Sequence, residues 1–353
     1  MKSWFLPACI AVFAIISLVT IGSVRSDLVA KQAFFFIIGG ITFYFTSKVS
    51  FVKWLEWRWP LYIGLLLLLT LPMLFGHSSR NTSRWIEFGF LRLQPSQLAI
   101  PIVGLTSAWL LVHGTLTMRR VALFLLSLLP PTILIFISPD LGTTVVFLAV
   151  LLSSLWFAGT SIRTLLLLSV CGLAVAALSW LVILKPYQRE RMLSFIAGSQ
   201  QAREQHYNAA QALIAVGGGQ VSGKGWGLGT QSHLQFLPER QTDFIFSSFA
   251  EEFGFIGTSL LLLVLLLTAL LLLYYARKRS NAAEGLYVML AAVTLLLQAG
   301  VNIGMNIGLL PITGVTLPLI SYGGSSILAT CVMFGIAHSI VQSPDAHAAR
   351  IIT

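Results

Sequence analysis

Residues 237–257 read LPERQTDFIFSSFAEEFGFIG and stand directly before the apolar run 259–275. Four of the chain's 12 acidic residues fall in this stretch: Glu239, Asp243, Glu251 and Glu252. Carboxylates at the end of a membrane helix are costly, so they need a structural or functional reason. A helix over 244–275 would be about 48 Å long at about 1.5 Å per residue, well beyond a hydrocarbon core of about 30 Å. We therefore expect its first turns to lie outside the lipid or inside a protein-lined cavity.

Helical spacing puts a strip of small residues beside one of these acids. The strip and the acid that share a face are Asp243, Ser247, Ala250 and Gly254. Such a face at a membrane edge indicates room for a substrate, and it makes Asp243 the functional candidate. Ser248-x-x-Glu251 before an apolar run instead matches a capping box, which favours a structural role for Glu251 and its neighbour Glu252.

The composition indicates an all-α polytopic membrane protein. Of 353 residues, 56% are hydrophobic and 10% are charged, whereas soluble domains carry about 25% charged residues. The three cysteines show neither a disulfide framework nor metal-ligand spacing, and the six histidines form no H-E-x-x-H pattern. A net charge of +10 fits basic loops facing anionic membrane lipid, and no nucleic-acid partner is expected.

The apolar runs predict about ten transmembrane helices. Their approximate bounds are 5–24, 32–49, 59–76, 95–113, 121–138, 142–159, 164–184, 253–276, 285–308 and 323–341. The first is interpreted as a retained helix because no small-residue cleavage site clearly follows it. Eleven of the 22 Lys and Arg residues lie at the termini and after even-numbered spans, against five on the other side once the six in 185–250 are set aside. This bias predicts that both termini are cytoplasmic.

Two segments on the predicted outer side differ from ordinary loops. The first is 77–94, and the second, 185–250, is a long, partly ordered extracytoplasmic loop with an amphipathic piece near 207–216. Loops this long are usually functional or disordered, and its aromatics and glycines argue against disorder. We expect one transmembrane domain over 1–342, including this loop, and a short cytoplasmic tail over 343–353.

The outer loops collect charged side chains. The basic ones are Arg80, Arg84, Arg92, Lys185, Arg189, Arg191, Lys224 and Arg240, and the acidic ones are Asp140, Glu190, Glu239 and Asp243. Arg and Lys near a lipid face suit a phosphate or diphosphate ligand. Snorkelling explains Arg92 and Lys185 equally well, whereas Arg84 beside Trp85 is harder to dismiss.

Three further motifs are ambiguous. GGGQVSGKGWGLG (217–229) contains G-x-x-x-x-G-K, but Gly225 replaces the Ser or Thr of a nucleotide P-loop. An anion cradle of backbone N–H groups and a flexible hinge both remain open for it. Asp140 after a proline favours a helix-capping role. LPLISYGGSS (317–326) is either broken backbone buried in protein or a tight turn, and Asn302 and Asn306 share a face suited to bonding neighbouring helices.

Longer motifs make the chain similar to a known family. They are RWIEFG, QPSQ, PDLGTT, GKGWGLGTQSHLQFLPE, PERQTDFIFSSFAEEFGFIG and NIGMNIGLLPITGVTLPLISYGGSS, in that order between 84 and 326. Together they resemble the SEDS family (shape, elongation, division and sporulation proteins), and their wording is closer to the rod-elongation branch than to the division branch.

The resemblance implies a peptidoglycan glycosyltransferase that polymerises lipid II outside the bacterial cytoplasmic membrane. Its partners would be lipid II, the lipid-linked glycan and a class B penicillin-binding protein that crosslinks the product. The essential acid of the family falls on Asp243, the arginine of its RW motif on Arg84 and the lysine of its GKG motif on Lys224. We add Arg189, Arg191, Glu239 and Ser321 as candidate substrate-binding residues. A divalent cation, Mg or Mn, is an open expectation, and no organic cofactor is expected.

One motif departs from the family. The usual Q-P-S-E-x-x-K is here Gln94-Pro95-Ser96-Gln97-Leu98-Ala99-Ile100, so both charges are missing. Losing both partners of an ion pair can be nearly neutral, which indicates a compensated structural pair. A weakened enzyme that only activates its partner stays open, as does a lipid II flippase. The scarcity of charge in the middle of the spans favours the enzyme over the flippase.

Overall fold

The chain folds into a helical bundle with one small strand pair. The computed structural model describes residues 4–75, 84–88, 91–112, 114–183, 189 and 203–343. The helices are α1 (Phe5–Val24), α2 (Val29–Lys48), α3 (Phe51–Glu56), α4 (Arg58–Phe75), α5 (Ala99–Val112), α6 (Met118–Ile137), α7 (Leu141–Phe157), α8 (Ile162–Leu178), α9 (Arg203–Gly218), α10 (Thr230–His233), α11 (Ile245–Arg277), α12 (Ala282–Asn306) and α13 (Gly324–Gln342). Short 3-10 turns, Ser26–Leu28 and Pro95–Leu98, precede α2 and α5, and a π-helical turn, Ser179–Ile183, follows α8.

The predicted membrane architecture is confirmed. Eight of the described helices are long and apolar enough to cross a membrane, and two shorter apolar helices, Arg58–Leu74 and Leu141–Phe157, lie between them in sequence. These ten helices fall on the ten predicted segments. The protein is therefore a multi-pass membrane protein, while the count of ten crossings stays a prediction.

The predicted all-α fold class is confirmed, and one short strand pair accompanies the helices. Ile86–Phe88 (β1) and Leu91–Leu93 (β2) pair antiparallel, with Ile86 opposite Leu93. A hairpin of three-residue strands gives a very short alternating pattern, which the polar residues of 77–94 obscured. Its second strand leads directly into the turn before α5.

The core lies where α5, α12 and α13 meet. α13 packs mainly along α2, and α11 packs along α12. Glycines allow α2 and α13 to approach closely: a Cβ at Gly335 would lie 1.8 Å from Thr46 Oγ1. Between α5 and α12, the buried Tyr287 hydroxyl donates to the carbonyl of Pro101 at 3.1 Å. These contacts fix the N-terminal part of α12 against α5 and hold α13 along α2.

α11 is interrupted at Gly254. Its 33 residues include Gly254 at φ 63 and ψ −163, which is not helical. Glycine is suited to this left-handed conformation because it has no Cβ. The predicted membrane span 253–276 therefore begins at this break. The turns before the break form a separate short piece that is buried in protein, as the length argument required.

Part of the long segment 185–250 forms α9, which covers the predicted amphipathic piece at 207–216. α9 packs against α11 and buries Ala212 and Ala215, one helical turn apart. Helical spacing of these buried residues confirms an amphipathic helix whose apolar face covers the start of α11. Most of 185–202 and the tail after Ser343 lie outside the described residues, so the extent of the loop and the tail stays a prediction.

Candidate active site

Asp243 lies two residues before α11 and is held by its main chain. Its carbonyl oxygen accepts hydrogen bonds from Asn302 Nδ2 at 3.0 Å and from Asn306 Nδ2 at 2.9 Å. Asn306 Oδ1 in turn accepts from the backbone N–H and the hydroxyl of Ser247, at 3.1 and 2.6 Å. The side chain of Asp243 is half-buried. This network fixes the main-chain position from which the Asp243 side chain extends.

A turn of chain after α12 faces this carboxylate. A Cβ at Gly314 would lie 3.7 Å from Asp243 Oδ2, and Gly314 has φ 76. Asn302 Nδ2 also donates to the carbonyl of Val315 at 2.8 Å. One asparagine therefore ties together the two stretches of backbone on either side of the Asp243 side chain.

Ser321 is placed one layer behind Asp243. Its buried hydroxyl donates to the carbonyl of Thr242 at 2.7 Å and accepts from the N–H of Leu317 at 2.9 Å. The carbonyl of the preceding Ile320 accepts from Ser17 at 2.8 Å. The segment 317–322 is thus irregular backbone whose polar groups are satisfied inside the protein, which was one of the two open interpretations.

Arg84 is paired with the acid that begins α7. Its Nη1 lies 3.7 Å from Asp140 Oδ1. Asp140 caps α7 by accepting from the N–H of Thr143 at 3.3 Å, and it also accepts from Gln94 Nε2 at 2.6 Å. The predicted capping role of Asp140 is confirmed, and Arg84 stabilises the cap.

The Arg84–Asp140 pair borders the same turn of chain as Asp243. A Cβ at Gly142 would lie 2.4 Å from the carbonyl oxygen of Thr313, the residue before Gly314. Arg84 and Asp243 therefore lie at one end of the bundle, with residues 313–314 in contact with both neighbourhoods.

Lys224 is paired with Glu251. Lys224 Nζ lies 2.7 Å from Glu251 Oε1 and 2.8 Å from the Thr230 hydroxyl. The fully buried Glu251 also accepts from the N–H of Gln231 at 3.1 Å, in the first turn of α10. Glu251 is structural, as expected, but the capping box is not the reason. The N-cap of α11 is Phe244, and the Ser248 hydroxyl instead bonds with Ser232 at 2.8 Å.

Glu252 points to the opposite side and closes a second buried cluster. Its Oε1 accepts from the Ser23 hydroxyl and lies 3.3 Å from His233 Nε2. The N–H of Gly227 donates to the same serine at 3.1 Å. Glu252 therefore joins the end of α1 to the glycine-rich loop and to α10.

The glycine-rich loop serves the interruption in α11, so the interpretation as an anion cradle is wrong. The N–H groups of Lys224 and Gly225 donate to the carbonyls of Glu251 and Glu252, each at 3.0 Å. On the other side of the break, the N–H groups of 255 and 256 donate to the carbonyls of 220 and 221, at 2.8 and 3.1 Å. Backbone groups orphaned by a helix break need partners when buried. The loop supplies them, and its amides are not left for an anion.

Close backbone approach explains the glycines at this junction. A Cβ at Gly219 would lie 2.0 Å from the carbonyl oxygen of Ala250, and one at Gly223 would lie 2.1 Å from that of Glu252. Ser247 and Ala250 are also buried, against Asn306 and this loop. The small-residue strip beside Asp243 is therefore filled by protein and leaves no room for a substrate there.

The remaining predicted site residues lie at different distances from the centre. Glu239, with φ 52, starts the turn before Asp243 and accepts from Gln241 Nε2 and the Thr242 hydroxyl, each at 3.3 Å. Arg189 Nη2 donates to the carbonyl of Leu181 at 3.1 Å, beside α8, a peripheral helix. Arg191 lies outside the described residues.

The sequence of this chain is similar to those of known proteins. The sequence matches the FtsW/RodA/SpoVE family, described as cell cycle proteins, over residues 2–345. The chain belongs to this family. It is 35% identical over 286 residues to the peptidoglycan glycosyltransferase MrdB of Escherichia coli K12, covering 80% of this chain and 77% of that protein. It is also 35% identical over 312 residues to a probable peptidoglycan glycosyltransferase FtsW of Nitrosococcus halophilus, covering 86% and 79%.

Solved structures of the family have the same fold. A chain of a peptidoglycan synthase complex, studied for how it coordinates polymerization and crosslinking, matches with a TM-score of 0.83 and 30% identity, over 96% of this chain and 97% of that one. The rod-shape-determining protein RodA of Thermus thermophilus matches with a TM-score of 0.72 and 27% identity, over 96% of each chain.

The two positions at which this chain lacks the charges usual in the family lie close together in the structure. Gln97 and Ile100 line one small cleft between α5, α12 and α13. Polar groups in its wall include Thr294, Gln298 and Thr330. Both residues face the same space, so charges there would be neighbours. This geometry supports the interpretation that a structural pair was lost as a unit.

Two residues that hold the main chain of Asp243 were predicted only to bond neighbouring helices, with no role in the site. Asn302 and Asn306 bond neighbouring helices, as one interpretation held, but the groups they bond belong to the site. Two asparagines four residues apart in an apolar span were the available signal. Among the residues that the structure describes, no group of three or more His, Cys, Asp and Glu side chains suits a metal ion. The divalent cation therefore stays a prediction.

Proposed function

We propose that the chain is a peptidoglycan glycosyltransferase that polymerises lipid II for cell-wall elongation. The observation that carries the proposal is Asp243, a half-buried carboxylate whose backbone is fixed by Asn302 and Asn306 at the end of the bundle where basic side chains also collect. The relatives named as peptidoglycan glycosyltransferases support this assignment.

The chemistry requires one base and several cations. Glycan polymerisation moves a sugar from a lipid diphosphate to a sugar hydroxyl. The C1–O bond to the diphosphate breaks, a bond from C1 to the hydroxyl oxygen forms, and the hydroxyl proton goes to Asp243. Glycosidases use a second carboxylic acid to protonate an alkoxide leaving group. A diphosphate leaves as a stable anion, so cations replace that acid. Direct displacement inverts the anomeric centre, from an α-linked donor to a β-linked glycan.

Charged residues around Asp243 would bind the diphosphate. Arg84 and Lys224 are candidates from the family motifs, with Arg189 and Arg191 further out. Glu239 would complete the substrate-binding surface, and the buried Ser321 would support it from behind through its bond to the carbonyl of Thr242. A divalent cation would take phosphate oxygens together with the carboxylates of Asp243 and Glu239, which are the hard oxygen ligands that Mg²⁺ prefers. When bound, it would neutralise charge on the leaving group.

We propose that the protein lies in the bacterial cytoplasmic membrane with both termini in the cytoplasm and the Asp243 end of the bundle outside. The bias of Lys and Arg toward loops after even-numbered spans supports this orientation. The likeness to a chain of a synthase complex that couples polymerization to crosslinking supports a class B penicillin-binding protein as partner.

The test is lipid II polymerisation by the purified chain in nanodiscs, with and without a class B penicillin-binding protein. We expect glycan strands longer than the lipid II disaccharide, with release of undecaprenyl diphosphate, and more of them with the partner present. Movement of labelled lipid II across vesicles without glycan formation would overturn the proposal in favour of a flippase. No product in either condition, with the partner stimulated in its own crosslinking, would identify an activating scaffold.

A further inference from the structure

Arg240 is held in place by a contact far away in sequence. It lies three residues before Asp243, in a turn closed by the N–H groups of Thr242 and Phe244, which donate to the carbonyl of Glu239 at 3.1 and 3.3 Å. Its Nε donates to the carbonyl of Val24, at the end of α1, at 3.3 Å. The guanidinium plane is therefore anchored through one nitrogen in the same turn that carries the carboxylate.

The other two guanidinium nitrogens of Arg240 point to a ligand. Within the part of the chain that the structure describes, Nη1 and Nη2 form no hydrogen bond and no ion pair. Two other described cations at this end are paired with acids, Arg84 with Asp140 and Lys224 with Glu251. A half-buried arginine that is fixed at Nε and open at its terminal nitrogens presents two parallel N–H donors, the geometry that matches phosphate oxygens.

A second arginine adds positive charge at the same place. Arg25 directly follows Val24, and its side chain is 39% exposed. It pairs with Asp27 through Nε and Nη2, at 2.8 and 2.7 Å. Burial and then the positive charge of Arg25 lower the pKa of Arg240, although an arginine remains protonated at neutral pH. The carboxylates of Asp27 and Glu239 both raise the pKa of Arg25, so they offset much of its charge. The guanidinium of Arg240 is therefore the cation of this pair whose terminal nitrogens suit a dianion.

We infer that Arg240 binds the lipid-linked diphosphate through its terminal nitrogens, with Arg25 as a second cation. The assignment of the ligand rests on the proposed function, since that reaction places a diphosphate next to Asp243. In this arrangement the leaving phosphate and the base are presented by one turn of chain, residues 239–244. Arg84 and Lys224 then add positive charge to this end of the bundle, and each also neutralises a buried carboxylate.

Binding of farnesyl diphosphate to the full chain in neutral-lipid nanodiscs tests the inference. The affinity of the parent is compared with that of Arg240→Gln, Arg240→Lys, Arg25→Gln and Asp243→Asn. We expect Arg240→Gln to weaken binding at least tenfold and Arg240→Lys to recover only part of it, because lysine offers a point charge instead of a fork. Arg25→Gln should weaken binding several-fold. In buffer that contains EDTA, Asp243→Asn should leave binding unchanged or tighter, because no divalent cation then links this carboxylate to the phosphates.

Three controls make the outcome decisive. Arg163→Gln, an exposed arginine at the start of α8, should leave binding unchanged. Farnesyl monophosphate and inorganic diphosphate should bind more weakly than farnesyl diphosphate, and phosphatidylglycerol in the nanodisc should not displace it. Melting temperatures show that each variant is folded. If Arg240→Gln does not fold, the exposed Arg25→Gln change carries the test.

The inference is overturned if Arg240→Gln and Arg25→Gln bind like the parent, or if phosphatidylglycerol competes as well as the diphosphate. The experiments distinguish a failure of this inference from a failure of the proposed function. A parent that polymerises lipid II while both arginine variants keep full affinity removes only the inference. A parent that binds the diphosphate through Arg240 but forms no glycan removes the function and leaves the anion site.

Discussion

Asp243 and the Glu251–Glu252 pair are close in sequence, yet they differ in burial and in the atoms through which they are held. The two glutamates are buried, and their oxygens accept from a lysine, a serine, a threonine, a backbone amide and a histidine. At Asp243 the hydrogen bonds from Asn302 and Asn306 go to the main chain, and the side chain is half-buried. The two glutamates stabilise a junction through their side chains, whereas Asp243, the base that we propose, is positioned through its main chain.

Replacing Asp243 by Asn should have the largest effect on activity. The amide keeps the shape and the main-chain bonds but cannot accept the hydroxyl proton, and general-base catalysis contributes about 100- to 10,000-fold. We expect lipid II polymerisation to fall at least about 100-fold, with the melting temperature unchanged. Normal glycan strands from the purified variant, free of other polymerases, would remove the distinction between the two acidic regions.

A buried charge with no partner should have the largest effect on stability. Ile100 is 2% exposed, so Ile100→Lys should lower the free energy of unfolding by roughly 3–5 kcal/mol, the cost of an unpaired buried charge. The double variant with Gln97→Glu should recover much of this loss, because both side chains line one cleft. Ile100→Met serves as the matched control, with a cost below about 1.5 kcal/mol. Melting temperatures in detergent measure all three, and a single lysine variant as stable as the parent would contradict the pairing hypothesis.

Glu251→Gln should separate stability from activity. It removes the charge paired with Lys224 and should lower the free energy of unfolding by about 1–3 kcal/mol, with a smaller loss of polymerisation per folded molecule than Asp243→Asn. A double-mutant cycle with Lys224→Met measures the pair directly, since coupled residues deviate from additivity. Additive effects on stability would show that Lys224 and Glu251 do not stabilise each other. A rate loss as large as that of Asp243→Asn would show that Glu251 acts in the reaction itself.

The smallest effect is expected from loosening the backbone of Asp243. Asn302→Ala removes the donors to the carbonyls of Asp243 and Val315, and small misplacements of a reacting group lower rates. We expect about a tenfold loss of polymerisation with a modest fall in melting temperature. Thr294→Ala, on the same helix, loses only a hydroxyl bond to the carbonyl of Leu290 and is the control. Equal rates for the two variants would mean that the asparagine does not position Asp243.

Several parts of the site were open to sequence reasoning and others were not. Apolar runs and the charge of Asp243 were visible because each is a property of a short stretch. The β1–β2 hairpin was missed because its strands are too short to show a period. The sequence could not choose between an anion cradle and a hinge for the glycine-rich loop. The answer depends on the break in α11 at Gly254, whose φ of 63 no local pattern predicted.

Arg240 is a residue that the sequence alone did not single out. In the sequence it is one of eight basic residues predicted to lie in outer loops. Only its bond to Val24, 216 positions away, distinguishes it from the others. Arg84 and Lys224 were selected by motif, and the structure brings both to the end of the bundle that holds Asp243 while pairing each with a buried acid.

The amino-acid sequence by itself determined that this protein is a multi-pass helical membrane protein of a recognisable family, because hydrophobic runs and long motifs are local and survive without a structure. The tertiary structure alone decided which charges remain for a ligand. That outcome depends on pairs such as Lys224–Glu251 and Arg84–Asp140, whose members meet only when distant helix ends come together. Electrostatic neutralisation acts over a few ångströms in space, and sequence spacing does not record that distance.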